Sequence, residues 1–259
     1  MYVTTELADN GVLTVTLARP EKRNAMNDPM YEELIEIFAD AAGNDAVRCV
    51  LLTAEGQDFC AGNDIGDFED INEGSHEAAE GPGDVIIYVL VDFEKPIVAA
   101  VRGRCIGFGT TMLLHTDLLF LAPDARMRAP FVTLGLTPEA ASSRVLPRLL
   151  GHQRTFAMYA LGDSLDAQTA VDLGFAYRVV EDDQLEAEAR ATADRLADLS
   201  QASLTRTKRL MRGAKALRAQ VDLETEAFYD VLVTPEAGEA FAAFRERRDP
   251  DFRSVTPGA

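Results

Sequence analysis

The sequence predicts an α/β fold, and three observations carry that reading. Apolar strand-like runs occur at 12–17, 47–53 and 96–101, segments of helical period lie between them, and the chain becomes mostly helical after Pro147. Strands and helices alternating in this way imply right-handed crossover units around an α/β core.

The elements follow in order. Residues 12–17, Val-Leu-Thr-Val-Thr-Leu, alternate as a half-buried strand does, and 18–24 read as a loop. A helix is expected over 28–42. Pro29 suits a first turn, and Met30, Leu34, Ile37, Phe38 and Ala41 share one face. The run 47–53 is almost continuously apolar, which predicts a strand covered on both sides, and 96–101 is similar. Between them, 67–83 is rich in acid, glycine and alanine and is expected to form a surface insertion or lid before a helix at 84–93. Short strands are expected at 117–121 and 126–128, flanking the Pro123-Asp124 turn. Helices are expected at 152–161, 166–173, 184–199, 204–213, 216–232 and 235–247. No Pro/Gly/Ser linker interrupts the chain. The organisation is therefore read as a core, 1–199, with a helical C-terminal subdomain, 200–259.

A chain of 259 residues with a net charge of -18 argues against nucleic acid or an anionic membrane as a bulk partner. A polyanionic small molecule stays possible, because a few arginines can dominate one pocket. The N-terminus has no positive region ahead of an apolar run, and no apolar run reaches spanning length, so a cytoplasmic protein is expected. Cys49, Cys60 and Cys105 lie in or beside apolar segments and read as reduced, packed thiols. His76, His115 and His152 lack ligand spacing, so no metal site is expected.

The segment most suggestive of chemistry is Cys105-Ile106-Gly107-Phe108-Gly109-Thr110-Thr111, which follows an apolar strand and a turn at Gly103. Glycines there allow a sharp passage from strand to helix, exposing N–H groups that can hold a negative oxygen. Phe59-Cys60-Ala61-Gly62-Asn63-Asp64-Ile65 has a similar shape. Each segment is also readable as an ordinary turn, since glycine-rich strand–helix junctions are common.

Taken with Pro20-Glu21-Lys22-Arg23-Asn24-Ala25-Met26, Lys95 to Val101, Asp117, Ala167, Gly174-Phe175-Ala176 and the stretch from Glu236 to Phe244, these segments resemble the crotonase (enoyl-CoA hydratase/isomerase) superfamily over nearly the whole chain. The resemblance implies a spiral of ββα units with mixed sheets and a helical C-terminal region. It also implies an acyl-CoA thioester as substrate, with no separate cofactor, and a homotrimer or dimer of trimers built through the C-terminal helices. The family's two oxyanion-binding N–H groups fall on Asn63 and Phe108. Phe108 stands where hydratases usually carry glycine. CoA contacts are implied at Lys22, Arg23, Ala25, Ala61, Asp64 and Ile65, and Lys208 and Arg209 are further candidates for phosphate.

Hydratases of the family place glutamates at positions that here are Thr111 and Phe131, so the two-carboxylate route to water addition lacks its groups. The stretch Leu136-Thr137-Pro138-Glu139-Ala140-Ala141-Ser142-Ser143 offers one glutamate instead and resembles the peroxisomal-type Δ3,Δ2-enoyl-CoA isomerases, which use that position as their single base. The expected activity is transfer of a 3-double bond to the trans-2 position of an enoyl-CoA, within fatty acid metabolism. Hydration, other thioester chemistry and a catalytically silent CoA-binding protein are the alternatives, and Glu139 also reads as ordinary charge compensation ahead of a helix.

Overall fold

A computed structural model of the chain describes residues 1–64, 66, 72 and 81–255. Its strands are β1 Val3–Leu7, β2 Val12–Leu17, β3 Cys49–Ala54, β4 Ile97–Val101, β5 Arg104–Ile106, β6 Leu118–Leu121, β7 Arg126–Arg128, β8 Leu165–Asp166 and β9 Arg178–Val179. They form a six-stranded sheet, β1-β2-β3-β4-β6-β9, and a three-stranded sheet, β5-β7-β8. Both sheets are mixed. In the larger, β1 is antiparallel to β2 and the other pairs are parallel; in the smaller, β5 and β7 are parallel and β8 is antiparallel.

The double covering expected for 47–53 has a simple origin. Side chains alternate across a strand, so Val50 and Leu52 enter the main core while Cys49 and Leu51 enter a second core on the opposite face. The second core is closed by Leu185, Ala189, Ala193 and Ala197 of the helix Leu185–Ala197. Alanine at every fourth position gives that helix a smooth face for close approach to the sheet. The main core is closed by the helices Asp28–Gly43 and Pro82–Asp92 and by the C-terminal helices Ala214–Leu232 and Pro235–Glu246, whose Val221, Phe228, Leu232 and Phe241 pack into it. The C-terminal helices thus share the main core with the rest of the chain.

Several elements depart from the sequence reading, among them the two-residue strands β8 and β9, which it does not contain. Strand β1 carries Thr4, Thr5 and Glu6 on exposed positions and buries only Val3, so it lacks the apolar alternation that reveals β2. Strand β5 is too short to show a period. The helix Ser142–Leu150 begins ahead of Pro147 and runs through it, whereas a proline reads from sequence as a helix boundary. The expected insertion at 67–83 lies, apart from residue 72 and residues 81–83, outside the described residues. Among the described residues no helix is long and apolar enough to cross a membrane.

One ion pair, between a buried lysine and an aspartate at the surface, ties the C-terminal helices to the sheet. Lys208, on the helix Gln201–Arg212, donates to Asp117 Oδ2 at 2.6 Å and to the Lys95 carbonyl at 2.8 Å, while Ile97 N–H donates to the same carboxylate oxygen at 2.8 Å. Burial pulls the Lys208 ammonium down to about 8, and Asp117 opposes that shift. Lys208 is therefore committed within the fold, which corrects the expectation that it reaches a CoA phosphate; Arg209 is likewise paired, with Glu94. Removing one partner strands the other charge in a poor solvent. Asp117→Ala removes a charged acceptor from a buried ammonium and should cost about 1–3 kcal/mol in urea unfolding, whereas a loss below about 0.5 kcal/mol would show that water still reaches Lys208.

Candidate active site

Two glycine turns meet at the upper edge of the sheets. The segment through Cys60 runs beside β5, with Cys60 N–H donating to the Arg104 carbonyl at 3.1 Å and Ile106 N–H to the Cys60 carbonyl at 3.0 Å. Gly62 follows with φ +91°, and Gly107 with φ +54°. A Cβ on Gly62 would lie 2.7 Å from the Ile106 carbonyl oxygen, and one on Gly109 would lie 2.6 Å from the Cys60 carbonyl oxygen. Side chains are excluded at both places, so the two backbones are in contact. The next residue in each turn is Asn63 or Phe108, and Phe108 opens the short helix Phe108–Thr111. Among the described residues neither Asn63 N–H nor Phe108 N–H donates to an acceptor. Two free donors side by side can hold one developing oxyanion.

Glu139 arrives from the loop before the helix Ser142–Leu150. Thr111 Oγ1 donates to Glu139 Oε1 at 3.4 Å, and the Asn63 side chain lies close enough to favour the ionised carboxyl. Tyr31 completes the cluster, its hydroxyl donating to Asn63 Oδ1 and its ring meeting Phe108 edge-on at 5.3 Å. Glu139 is half-buried as a residue, but its carboxyl is enclosed by protein atoms. That burial, followed by the charges of Asp84 and Glu224, pushes its pKa up to about 8, with Thr111 and Asn63 pulling the other way. Phe131, at the second hydratase position, is buried with its ring 5.5 Å from that of Tyr159.

The backbone after Glu139 is strained. Ala140 and Ala141 both lie in the left-handed region, at φ +59° and +56°, which costs roughly 1–2 kcal/mol for each non-glycine residue. His115 grips this segment: its Nε2 lies 3.0 Å from the Ala140 carbonyl oxygen, and its Nδ1 lies 2.6 Å from the Arg212 guanidinium. Arginine only donates, so Nδ1 accepts and the proton sits on Nε2. Burial first, then Arg212, pushes His115 down to about 3, which keeps it neutral. In the sequence His115 stands out only as a histidine without metal-ligand spacing, which gives no sign of this role.

The sequence-derived site residues fall in two groups. Asn63, Phe108 and Glu139 come together. Lys22, Arg23 and Ala25 lie on the segment after β2, Ala61 and Asp64 lie beside Asn63 on the Cys60 segment, and Ile65 falls outside the described residues. Lys22 and Arg23 are exposed there, Arg23 in the left-handed region at φ +53° and 3.8 Å from Asp58. The backbone N–H groups of Ala25 and Ala61 are already spent on the carbonyls of Lys22 and Arg23. Any backbone contact they make with CoA therefore falls to their carbonyls, and the Ala61 carbonyl has no donor among the described residues. Arg19 donates to Asp64 Oδ2 at 3.3 Å, fastening the loop beside Asn63. Cys60 and Cys105 lie buried beneath the turns, and burial raises both thiols, Cys60 to about 12, so neither offers a thiolate.

The raised Glu139 pKa carries a stability consequence. Between about 4.5 and about 8 the folded protein binds a proton at Glu139 that the unfolded chain has released, so this contribution is full below the lower value and is lost as pH rises through the upper. Glu139→Gln keeps the shape and cannot ionise. Its unfolding midpoint should exceed that of the wild type at pH 9 and converge with it near pH 4; equal midpoints at pH 9 would refute the burial of this carboxyl.

The match to known proteins follows the same geometry. Residues 8–255 match the family model for enoyl-CoA hydratase/isomerase. The 1,2-epoxyphenylacetyl-CoA isomerase of Escherichia coli (strain K12) is 32% identical over 253 residues, 94% of this chain and 95% of that protein. The probable enoyl-CoA hydratase echA6 of Mycobacterium bovis is 33% identical over 246 residues, 94% of this chain and 96% of that protein. The enoyl-CoA hydratase/isomerase structure from Pseudoalteromonas atlantica T6c superposes with a TM-score of 0.90 at 39% identity, covering 97% of this chain and 99% of that one. The chain belongs to the enoyl-CoA hydratase/isomerase family.

Proposed function

We propose that this chain is an enoyl-CoA isomerase that uses Glu139 as its single base. The observation that carries the reading is one enclosed carboxyl, held toward near-neutral pKa, beside two unpaired N–H groups, with Thr111 and Phe131 at the places of the hydratase glutamates. The thioester oxygen takes the Asn63 and Phe108 N–H groups. Ionised Glu139 removes a proton from C2 of a 3-enoyl thioester, and the C–H electron pair passes into a dienolate whose oxygen the two N–H groups stabilise, each by roughly 3 kcal/mol. The same carboxyl returns the proton at C4, the double bond moves to C2–C3, and no atom is gained or lost. The Pro138-Glu139 segment's likeness to Δ3,Δ2-isomerases supports this route, as does a relative named an isomerase of a CoA thioester. Other relatives are named probable hydratases, which makes water addition the competing outcome.

On this reading Lys22 and Arg23 neutralise CoA phosphates at the mouth, with the Ala61 carbonyl accepting from the pantetheine arm. Leu210 and Met211, exposed at 88% and 81%, supply apolar surface for assembly through the C-terminal helices.

Three measurements test the proposal. Glu139→Gln should lower isomerisation of a 3-enoyl-CoA by about 10²–10⁴-fold with little change in binding; rapid hydration of a 2-enoyl-CoA without double-bond migration, or activity untouched by the change, would defeat it. Because the base must be ionised, kcat/KM should climb with pH and level off above about 8. Gly62→Ala drives a Cβ into the Ile106 carbonyl and displaces Asn63 N–H, so kcat should fall by about 10²-fold or more.

A further inference from the structure

We propose that Tyr31 is a positioning residue for the base, because its hydroxyl fixes the end of the Asn63 carboxamide that faces Glu139. This role presupposes the parts given above to Asn63 and Glu139. The segment 26–31 holds Asn63 twice. Met26 N–H donates to the Gly62 carbonyl at 2.8 Å, and Asp64 N–H donates to the Met26 carbonyl at 2.7 Å, which makes a parallel bridge between Met26 and Asn63. The two backbone groups flanking Asn63 are thus turned to Met26. In an extended chain the residue's own N–H points the other way, so the bridge leaves Asn63 N–H free for an oxyanion. Five residues on from Met26, the Tyr31 hydroxyl donates to Asn63 Oδ1 and secures the side chain.

Tyr31 has little freedom of its own. It is buried in the first turn of the helix Asp28–Gly43, where its N–H donates to the Asn27 carbonyl at 3.0 Å and the Asn27 side chain caps Met30 N–H at 3.2 Å. Its ring meets that of Phe108 at 73°, and a Cβ on Gly83 would stand 3.4 Å from it on the helix Pro82–Asp92. A ring held on two sides aims its hydroxyl. That hydroxyl settles a choice the backbone leaves open, since a carboxamide has an acceptor at one end and donors at the other. With Oδ1 taken by Tyr31, Nδ2 is the end left for the pocket, where Thr111, three residues beyond Phe108, touches Glu139 at 3.4 Å. An amide N–H facing a carboxyl favours its ionised form, whereas an amide oxygen there favours the protonated one. Asn63 acts on Glu139 in the first sense. Burial keeps the Tyr31 phenol protonated, and so a donor, well beyond its ordinary range. Phenylalanine at 31 would keep the ring and release the carboxamide, so that either end could face the base.

The test follows the titration of Glu139 itself, so it stands apart from the reaction. Protein carrying carbon-13 at its glutamate carboxyls, with Glu139→Gln identifying the signal, would be titrated by NMR as wild type, Tyr31→Phe, Asn63→Ala and the double variant. Losing the support of one hydrogen bond should move the Glu139 midpoint up by roughly 0.5–1 pH unit in Tyr31→Phe. The midpoint of kcat/KM for a 3-enoyl-CoA should rise with it, whereas a merely structural tyrosine would lower the unfolding temperature and leave both midpoints in place. Asn63→Ala keeps the backbone N–H and should raise the Glu139 midpoint as far, and Tyr31→Phe added to it should raise it no further. A midpoint that fails to rise in either single variant, or a further rise in the double variant, would overturn the proposal. Should Tyr31→Phe misfold, the wild type still decides. Its Asn63 Nδ2 signal, assigned by its loss in Asn63→Ala, should shift as Glu139 ionises, and a signal indifferent to that step would overturn the proposal equally. Failure of the base assignment would show instead as Glu139→Gln retaining isomerase activity while the titration still responds to Tyr31→Phe.

Discussion

Much of this site depends on a contact between backbones. Gly62 faces the Ile106 carbonyl, and Gly109 faces the Cys60 carbonyl, each across a gap that cannot hold a methyl group. Bringing two turns this close sets the separation of Asn63 N–H and Phe108 N–H without any side chain having to choose a rotamer. The sheets supply the approach. β4 leads through the Gly103 turn into β5, and the Cys60 segment pairs beside β5, so both turns emerge from one hydrogen-bonded frame. Donors held in such a frame need no rearrangement as charge develops, which is the property electrostatic catalysis requires.

The carboxyl opposite them is held by a different device. Ala140 and Ala141 occupy a conformation that alanine disfavours, and the strain is met by contacts from elements remote in sequence. His115 reaches the Ala140 carbonyl, Arg212 reaches His115 across 97 residues, and the Ser142 and Val145 N–H groups return to the Glu139 and Ala141 carbonyls. Strained residues persist where surrounding structure over-determines them, and they cluster at functional sites. Here the strained pair lies between Glu139, which meets Thr111, and the first turn of the helix Ser142–Leu150.

These two devices differ in how far the sequence discloses them. Glycine spacing after an apolar strand marks each turn locally, while only the family resemblance picks out Asn63 and Phe108 within the turns. Glu139 is legible as an acid before a helix, and its likeness to a family segment singles it out further. Tyr31, His115 and Arg212 carry no such local mark, because each acquires its partner only through tertiary packing: Tyr31 meets Asn63 across 32 residues. Lys208 illustrates the opposite error. A cation on a polar helix reads as surface charge, yet the helix turns it inward onto Asp117. Strand β2 and the helix Asp28–Gly43 show their periods plainly, whereas β1 and β5 are set by pairing and conceal them.

Thr111 and Phe131, at the positions where the family resemblance puts hydratase glutamates, also shape the electrostatics of the pocket. Glu139 already stands in the field of Asp84 and Glu224, and both raise its pKa. Asp84 is itself anchored, accepting from Gly81 N–H at 2.9 Å and from the Tyr229 hydroxyl at 2.7 Å. Another carboxylate at position 111, where the hydroxyl now touches Glu139, would add like-charge repulsion at the shortest range in the cluster and drive the base further toward its protonated form. Threonine does the reverse: its hydroxyl donates to Glu139 and favours ionisation. Phenylalanine at 131 removes the second charge and packs against Tyr159. Burial and nearby acids raise the carboxyl while two neutral donors restrain it, and the balance falls near neutrality. For the proton shuttle proposed for Glu139 such a balance is favourable, since neither direction of transfer then runs far uphill.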